Sequence, residues 1–437
     1  MRWILLAAAL LLAAIAFDLG LLVYAAYAVI GVIAFTWWLT RRWTDAVVST
    51  RECSTDEAEI GDLVTVRNRL ENSWSLPISW VLAEDVIPPE TQLFKPHRLE
   101  VEGERTAIFR LAAGERREIS YVMRCRRRGY YQIGPLLLET GDPFGLFRRF
   151  KIATEPTFLL VLPKPVVIES YDIASRRPIG EIRLQHRLFE DPTRIAGVRR
   201  YEQGDPFNRV HWRATARTGT LHSKIYEPSA LAGATLIVDF HRESHEARHE
   251  PFRSEIAVTC ASSLAHAICQ LGQQVGLISN GRDAADRIRE EGWRGETRSR
   301  DAATSNVAMR STSDRLRPIV IPTGTASDRF ARIQRQLGRL ELTDGLTLAQ
   351  LLAECQGRLP RDAAVIVILP QVDESAAIAL GELARQGYFV TAVINTFEAD
   401  RFARYAAPLI AVGIRCLQLR DEPSIATICR SQRSLRG

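Results

Sequence analysis

Ala234-Thr235-Leu236-Ile237-Val238 is an uncharged, almost wholly apolar run. Such a run reads as a strand buried on both faces, the mark of a sheet covered by helices on each side. A helical stretch from Phe252 to Gln273 follows, with apolar residues at Ile256, Cys260, Leu264, Ile268 and Leu271. Next come a strand at Val275 to Ile278, helices near Asp328 to Leu340 and Leu348 to Cys355, and a strand at Ala364 to Leu369. A helix from Ser375 to Gln386 and a strand from Phe389 to Ile394 continue the alternation. Strands alternating with helices predict a doubly wound, mainly parallel α/β sheet over residues 233–437. Residues 281–317 interrupt it as a polar, Arg- and Ser-rich insertion and are expected to form a mobile loop.

Upstream, residues 46–160 change character. Leu63-Val64-Thr65-Val66-Arg67, Thr106-Ala107-Ile108-Phe109-Arg110 and Glu118-Ile119-Ser120-Tyr121-Val122 alternate apolar and polar side chains, with turn residues at Gly61-Asp62, Gly103 and Gly114-Glu115. Short strands at this spacing predict an antiparallel β-sandwich of immunoglobulin-like size. Residues 161–232 link the two regions.

At the N-terminus, Trp3 to Phe17 and Leu21 to Leu39 are nearly free of polar side chains and are broken at Asp18-Leu19-Gly20. A span needs about 20 apolar residues, so residues 1–42 are expected to form two transmembrane helices in a hairpin. Arg2 precedes it and Arg41 and Arg42 follow it, which places both ends in the cytoplasm. The competing reading is a cleaved signal peptide, because Ala14-Ile15-Ala16 resembles a cleavage site. The expected location is the cell (inner) membrane, two-pass, with the soluble region cytoplasmic. Seven cysteines without a CxxC pair agree with a reducing compartment. The net charge of +6, carried mostly by Arg, suits contact with anionic lipid better than nucleic acid, since acidic residues are interspersed throughout. The runs Arg124 to Arg128 and Arg148 to Lys151 read as strand ends close to such a leaflet.

Between the two soluble regions lies Gly197-Val198-Arg199-Arg200-Tyr201-Glu202-Gln203-Gly204-Asp205, followed by His211-Trp212-Arg213-Ala214-Thr215-Ala216-Arg217 and then Leu221, Lys224, Tyr226 and Glu227. Arg forks clamp carboxylates and Trp stacks on guanidinium. The segment is therefore either a binding surface or a set of charges that pair with one another at a domain seam. Arg199, Tyr201, Gly204, Asp205, Trp212, Arg217, Lys224 and Glu227 are the candidate residues.

This stretch resembles the signature of a bacterial family catalogued as domain of unknown function fifty-eight, G-h-R-x-Y-x-x-G-D followed by W-x-x-[ST]-A-R. Arg128-Gly129-Tyr130-Tyr131-Gln132-Ile133-Gly134-Pro135 and Gly141-Asp142-Pro143-Phe144-Gly145-Leu146-Phe147 fit a second element. The resemblance implies a von Willebrand factor A-like α/β domain after the signature. It also implies association with MoxR-type AAA+ ATPases and transglutaminase-like membrane proteins, and a role as an adaptor in assembly or maturation of other proteins.

Factor A domains hold a divalent cation, so Mg²⁺ is the implied ion. Asp239 fits the first ligand position, but His241 and Glu243 stand where serines are required. Thr347 fits the threonine, and Gln371 replaces the last aspartate. The expectation is a degenerate site, with Asp239 and Thr347 as its remnants, in a domain that binds protein without metal. His245-Glu246-Ala247-Arg248-His249 matches the H-E-x-x-H pattern of zinc hydrolases. Its neighbourhood lacks an apolar face, and Pro251 cuts it short. No GxxxxGK[ST] loop or GxSxG elbow is present. The leading expectation is thus a membrane-anchored cytoplasmic adaptor that is not an enzyme. A metal-dependent hydrolase using His245, Glu246 and His249, and a structural membrane organiser, stand as alternatives.

Overall fold

The computed structural model describes residues 20–88, 97–168, 195–226 (except 203, 204 and 206), 233–291, 316–324, 328–360 and 363–428. The chain divides into two compact units, Met1–Val161 with Ile288–Arg310, and Leu162–Arg287 with Ser311–Gly437.

The first unit begins with helix α1 (Gly20–Ala46). It corrects the expected pair of transmembrane helices: among the described residues one helix is long and apolar enough to cross a membrane. The other expected span, Trp3 to Phe17, and the Ala14-Ile15-Ala16 site lie outside the described residues. Counting apolar residues ended the second span at Leu39, yet α1 continues through Arg41 and Arg42. Its last turns are held because Trp43 and Leu39 pack with Val47, Leu70, Ile78, Leu111 and Leu136 in the core beneath. Thr36, Thr40 and Thr44 return their hydroxyls to backbone carbonyls three or four residues earlier, which satisfies these three buried side chains.

Strands β1 (Val47–Cys53), β2 (Glu57–Glu59), β3 (Leu63–Asn72), β4 (Ile78–Asp85), β5 (Leu99–Gly103), β6 (Thr106–Leu111), β7 (Arg116–Cys125), β8 (Gly129–Ile133), β9 (Leu136–Gly141), β10 (Arg148–Thr154) and β11 (Thr157–Leu162) follow. They form two four-stranded sheets, β1-β3-β7-β5 and β10-β9-β4-β6, and a three-stranded one, β2-β11-β8. Inward residues of the four-stranded sheets share one apolar cluster, so these sheets face each other. Alternation in β7 buries Ile119, Tyr121, Met123 and Cys125 and leaves their neighbours toward water.

The second unit contains the hairpin β12 (Ile195–Arg200) and β13 (His222–Tyr226), joined through helix α2 (Trp212–Thr218). Its main sheet runs β17-β15-β14-β19-β20-β21. These are β14 (Gly233–Val238), β15 (Gln274–Ser279), β17 (Ile319–Gly324), β19 (Ala363–Leu369), β20 (Val390–Asn395) and β21 (Arg415–Leu419). All pairs are parallel except β15 with β17. Every residue of β14, β19 and β20 is buried. One face packs on helix α3 (Phe252–Gln270) through Ile256, Cys260 and Leu264. The other packs on α6 (Leu348–Cys355), α7 (Glu374–Arg385) and α8 (Ala399–Ala411).

The von Willebrand factor A assignment is not confirmed, and the chain is richer in separate sheets than expected. Part of the insertion is ordered: β16 (Arg282–Asp283) pairs with β18 (Leu340–Glu341), and helix α4 spans Ala284–Glu291. Residues 292–315 lie outside the described residues. Helices α5 (Arg329–Arg339) and α9 (Glu422–Thr427) complete the unit.

Candidate functional site

In the main sheet the chain leaves β14 toward β15 and β17 on one side, and later toward β20 and β21 from β19 on the other. In such sheets ligands bind outside the carboxyl ends of the strands where the order reverses. Here that is the rim where β14 and β19 end. Asp239 lies there, buried, and its Oδ1 accepts from the His241 N–H at 3.1 Å and from Asn280 Nδ2 at 2.8 Å. The same Asn280 amide donates to the Leu346 carbonyl at 2.9 Å and accepts from the Phe240 N–H at 2.7 Å. Thr347 is committed as the cap of α6, accepting from the Gln350 N–H, while Gln350 Oε1 accepts from the Thr347 N–H. Gln371 Nε2 donates to the Glu243 carbonyl at 3.3 Å.

These groups do not fit a divalent cation. Mg²⁺ requires converging oxygens, whereas an amide N–H donor is aimed at the one carboxylate present. Among the described residues no group of three or more His, Cys, Asp or Glu side chains is arranged to hold a metal.

The H-E-x-x-H residues are not on one helix. His245 and Glu246 are extended residues between two short 3-10 turns, Arg242–Ser244 and Ala247–His249, and only the second turn holds the end of the motif. His245 is buried, with Nδ1 at 2.9 Å from Glu250 Oε1 and Nε2 at 3.1 Å from the Asp239 carbonyl. Both neighbours are acceptors, so each ring nitrogen is directed at an oxygen of the protein and the protonated ring donates to both. Glu246 is engaged by Arg248 and Arg401, hydrogen bonds that hold its carboxyl below the usual range. His249 lies edge-on to Phe397 at 5.4 Å.

Burial alone would lower the His245 pKa, but the hydrogen bond and charge of Glu250 outweigh it and raise the value. Burial would likewise raise Glu250, yet hydrogen bonds from His245 and Ser254 bring it down. A raised histidine stabilises fully below its unfolded value, about 6.5, and loses that contribution as pH climbs through the folded value. A lowered glutamate contributes above about 4.5 and loses its contribution as pH falls through the folded value. The turn 242–250 is therefore expected to be tightest between roughly pH 4.5 and 6.5. Amide exchange over 242–253 should speed up from pH 6 to pH 8.5 beyond the intrinsic chemical rate. His245→Gln should abolish that excess; an excess that persists in the variant would disprove the assignment.

The signature residues form a module of their own. β12 and β13 pair antiparallel, Arg199 opposite Ser223 and Val198 opposite Lys224. Asp205 staples the connection. Its carboxylate accepts from Arg199 Nη2 at 2.5 Å and from the Glu202 N–H at 3.1 Å, and its carbonyl accepts from the Tyr201 hydroxyl at 2.8 Å. Burial pushes its carboxyl up, but these bonds prevail and hold it below the usual range. His211 Nδ1 accepts from the Ala214 N–H and starts α2. Gly219, at φ +69°, ends it in the left-handed conformation that glycine adopts without strain. Val210 is buried beneath.

What the staple displays is aromatic and cationic. Trp212 is 67% exposed and Phe207 71%, with Leu221 and Val198 also open to water. Tyr201 packs on Phe207 at 5.9 Å, and Arg213 and Arg217 are exposed. Of the candidates, Arg199, Tyr201 and Asp205 are thus brought together, Trp212 and Arg217 face outward, and Lys224 is half-buried on β13. Gly204 and Glu227 lie outside the described residues. Sequence reasoning missed Asn280 and Glu250, whose only signal was a polar residue just past a buried strand and an acid before a proline.

Residues 197–298 match the family described as protein of unknown function DUF58. The chain carries a DUF58 domain. The matched DUF58 stretch starts at the stapled hairpin and runs through β14, the His245 turn and α3. The uncharacterized protein YeaD of Bacillus subtilis (strain 168) is 23% identical over 236 residues, covering 54% of this chain and 56% of YeaD. The chain thus spans little more than half the length of that relative. Among solved structures, proximal thread matrix protein 1 from the mussel byssus aligns with 45% of this chain and 46% of its own, at 11% identity and TM-score 0.29. A CARDB domain from Pyrococcus furiosus aligns with 27% of this chain and 94% of its own, at 8% identity and TM-score 0.20.

Proposed function

We propose that this chain is a membrane-anchored adaptor that docks another protein on the exposed aromatic face of its DUF58 segment. The observation that carries this reading is the outward display of Trp212 and Phe207, flanked by Arg213 and Arg217, on a hairpin fixed by Asp205. Trp, Tyr and Arg dominate binding energy at protein interfaces. An exposed apolar patch rimmed by polar groups is how soluble surfaces mark a docking site. Helix α1 supplies the anchor, and Arg41 and Arg42 after its apolar stretch favour a cytoplasmic soluble region at the cell (inner) membrane. A MoxR-type AAA+ ATPase is the partner that the family resemblance names, with a transglutaminase-like membrane protein as a second.

Two measurements test this. A fluorescent reporter fused to the C-terminus should light up in the cytoplasm. The full chain in detergent should capture the ATPase, and Asp205→Ala, which frees Arg199 and loosens the turn, should release it. Equal capture by the variant, or no stable protein partner at all, sinks the adaptor reading.

A further inference from the structure

The β9–β10 turn of the sandwich stands beside α1 and is built like a tool for lipid. Asp142 is buried and gathers three backbone donors: Phe144 N–H at 2.8 Å and Leu146 N–H at 3.3 Å to Oδ1, and Phe147 N–H at 2.5 Å to Oδ2. Gly145 takes φ +71°, which closes the turn. The product is a rigid tip with Phe144 70% exposed.

The place of the tip follows from a ladder of contacts between β10 and the chain that leaves α1. Thr154 meets Ser49 at 2.9 Å, Lys151 Nζ donates to the Val47 carbonyl at 2.5 Å, and Arg149 lies 4.0 Å from Asp45. Each step toward the turn is a step back along the chain into α1. Continuing the ladder by one step points the 142–147 turn toward the last turns of the helix, where Arg41 lies over Trp37 at 5.9 Å and Arg42 over Trp38 at 5.8 Å. Trp74, from the loop after β3, meets Trp38 edge-on at 6.2 Å, and Leu76 beside it is exposed. Tryptophan with flanking arginine is the composition of a membrane–water interface. Arg148 and Arg149 are exposed at the foot of the tip. Asp45 and Glu139 offset them in part, at 4.0 Å from Arg149 and 3.8 Å from Arg148.

We infer that this end of the sandwich is a second membrane contact, in which Phe144 enters the interfacial layer while Arg41, Arg42, Arg148 and Arg149 hold anionic lipid headgroups. The occupant is an anionic bilayer because the surface combines a protruding apolar ring with arginines at the level where the helix leaves the apolar stretch. The inference rests on α1 being an anchor and adds a footing that fixes the sandwich against the bilayer.

The test uses the full chain in nanodiscs of phosphatidylcholine, with or without phosphatidylglycerol. The photoreactive analogue p-benzoylphenylalanine is placed at Phe144 or, as control, at Leu63. Leu63 is exposed at the other end of β3, nine residues from Asn72 and thus about 30 Å away. Illumination should give phospholipid adducts at Phe144 and not at Leu63. Arg148→Glu with Arg149→Glu should cut adducts in the anionic discs by at least about fivefold. Absence of lipid adducts at Phe144, or a protein adduct in their place, overturns the inference. Equal yields with and without phosphatidylglycerol overturn the choice of anionic lipid. Carbonate extraction of the same chain from native membranes separates the two readings. Release into the supernatant removes the anchor and the footing together, whereas retention without adducts removes the footing alone.

Discussion

Asp85→Ala is expected to destabilise the β-sandwich by roughly 3–5 kcal/mol, the loss seen when one partner of a buried ion pair is removed. Asp85, at the end of β4, is 1% exposed. Its carboxylate accepts from Arg51 Nη2, from Asn68 Nδ2 at 2.7 Å and from the Tyr121 hydroxyl at 2.8 Å. Arg51 also donates to the carbonyls of Ile133 at 3.1 Å and Glu155 at 2.9 Å, which ties β1 to the strands opposite. A side chain at Gly134, where φ is +88°, would run into that guanidinium, so the turn is shaped around it. Burial, and then the Asp85 charge, push the Tyr121 phenol far above its usual range, so it remains a neutral donor. Removing the carboxylate strands a buried cation and two buried donors. At about 4 °C per kcal/mol for a domain of this size, the melting midpoint should fall by roughly 12–20 °C. Near-ultraviolet circular dichroism, with Trp43, Trp74 and Trp80 as reporters in this unit, would follow it. The triple change Arg51→Met, Asp85→Leu, Tyr121→Phe should lose much less, because an apolar replacement leaves no charge unpaired. A fall below about 4 °C for Asp85→Ala would show that the network is worth under about 1 kcal/mol.

That network also shows where sequence reading stops. Alternation in Glu118 to Val122 points Ile119 and Tyr121 inward, and both are buried. The continuous run at Ala234 to Val238 announces a strand buried on both faces, as it is. Periodicity reports which side a residue faces but not whom it meets. Asp85 meets partners 17, 34 and 36 positions away, and no local pattern marks them. The polar insertion fails for a related reason. Arg282 to Glu291 lacks apolar periodicity, yet it is ordered because Arg287 forks onto Glu341 at 2.6 and 2.8 Å and Gln336 Nε2 donates to Asp283 at 2.8 Å. Its partners lie some fifty residues on in sequence. The H-E-x-x-H motif misleads in the opposite direction: its spacing suits a helix, but His245 turns inward to Glu250 and Asp239 and breaks the segment into two turns. In the signature, charges pairing with one another was one of two readings left open, and no pattern marked that Arg199 on β12 would close onto Asp205 in the loop that follows. The outward aim of Trp212 was not legible either, because residue type alone does not separate a stacked tryptophan from a displayed one.

Trp212→Ala is expected to weaken capture of the proposed ATPase partner by about thirtyfold or more, equivalent to about 2 kcal/mol, the usual threshold for an interface hot spot. The magnitude follows from area. A tryptophan buries about 150–250 Å² when covered. Covering even half of that at about 25 cal/mol per Å² yields roughly 2–3 kcal/mol. Because the ring is already in water in the free protein, its removal should leave the melting midpoint unchanged, within about 0.5 kcal/mol. Trp212→Phe should recover part of the affinity, and Arg217→Glu should slow association with a salt dependence that Trp212→Ala lacks. Val210→Ala supplies the contrast. Val210 is buried under the hairpin and bridges Ser223, so its loss should soften the module and lower binding and stability together. Equilibrium titration of the detergent-solubilised chain against the ATPase, paired with thermal melts, separates the cases. If Trp212→Ala binds like the parent chain, the displayed face is not the docking surface and the staple at Asp205 serves the fold alone.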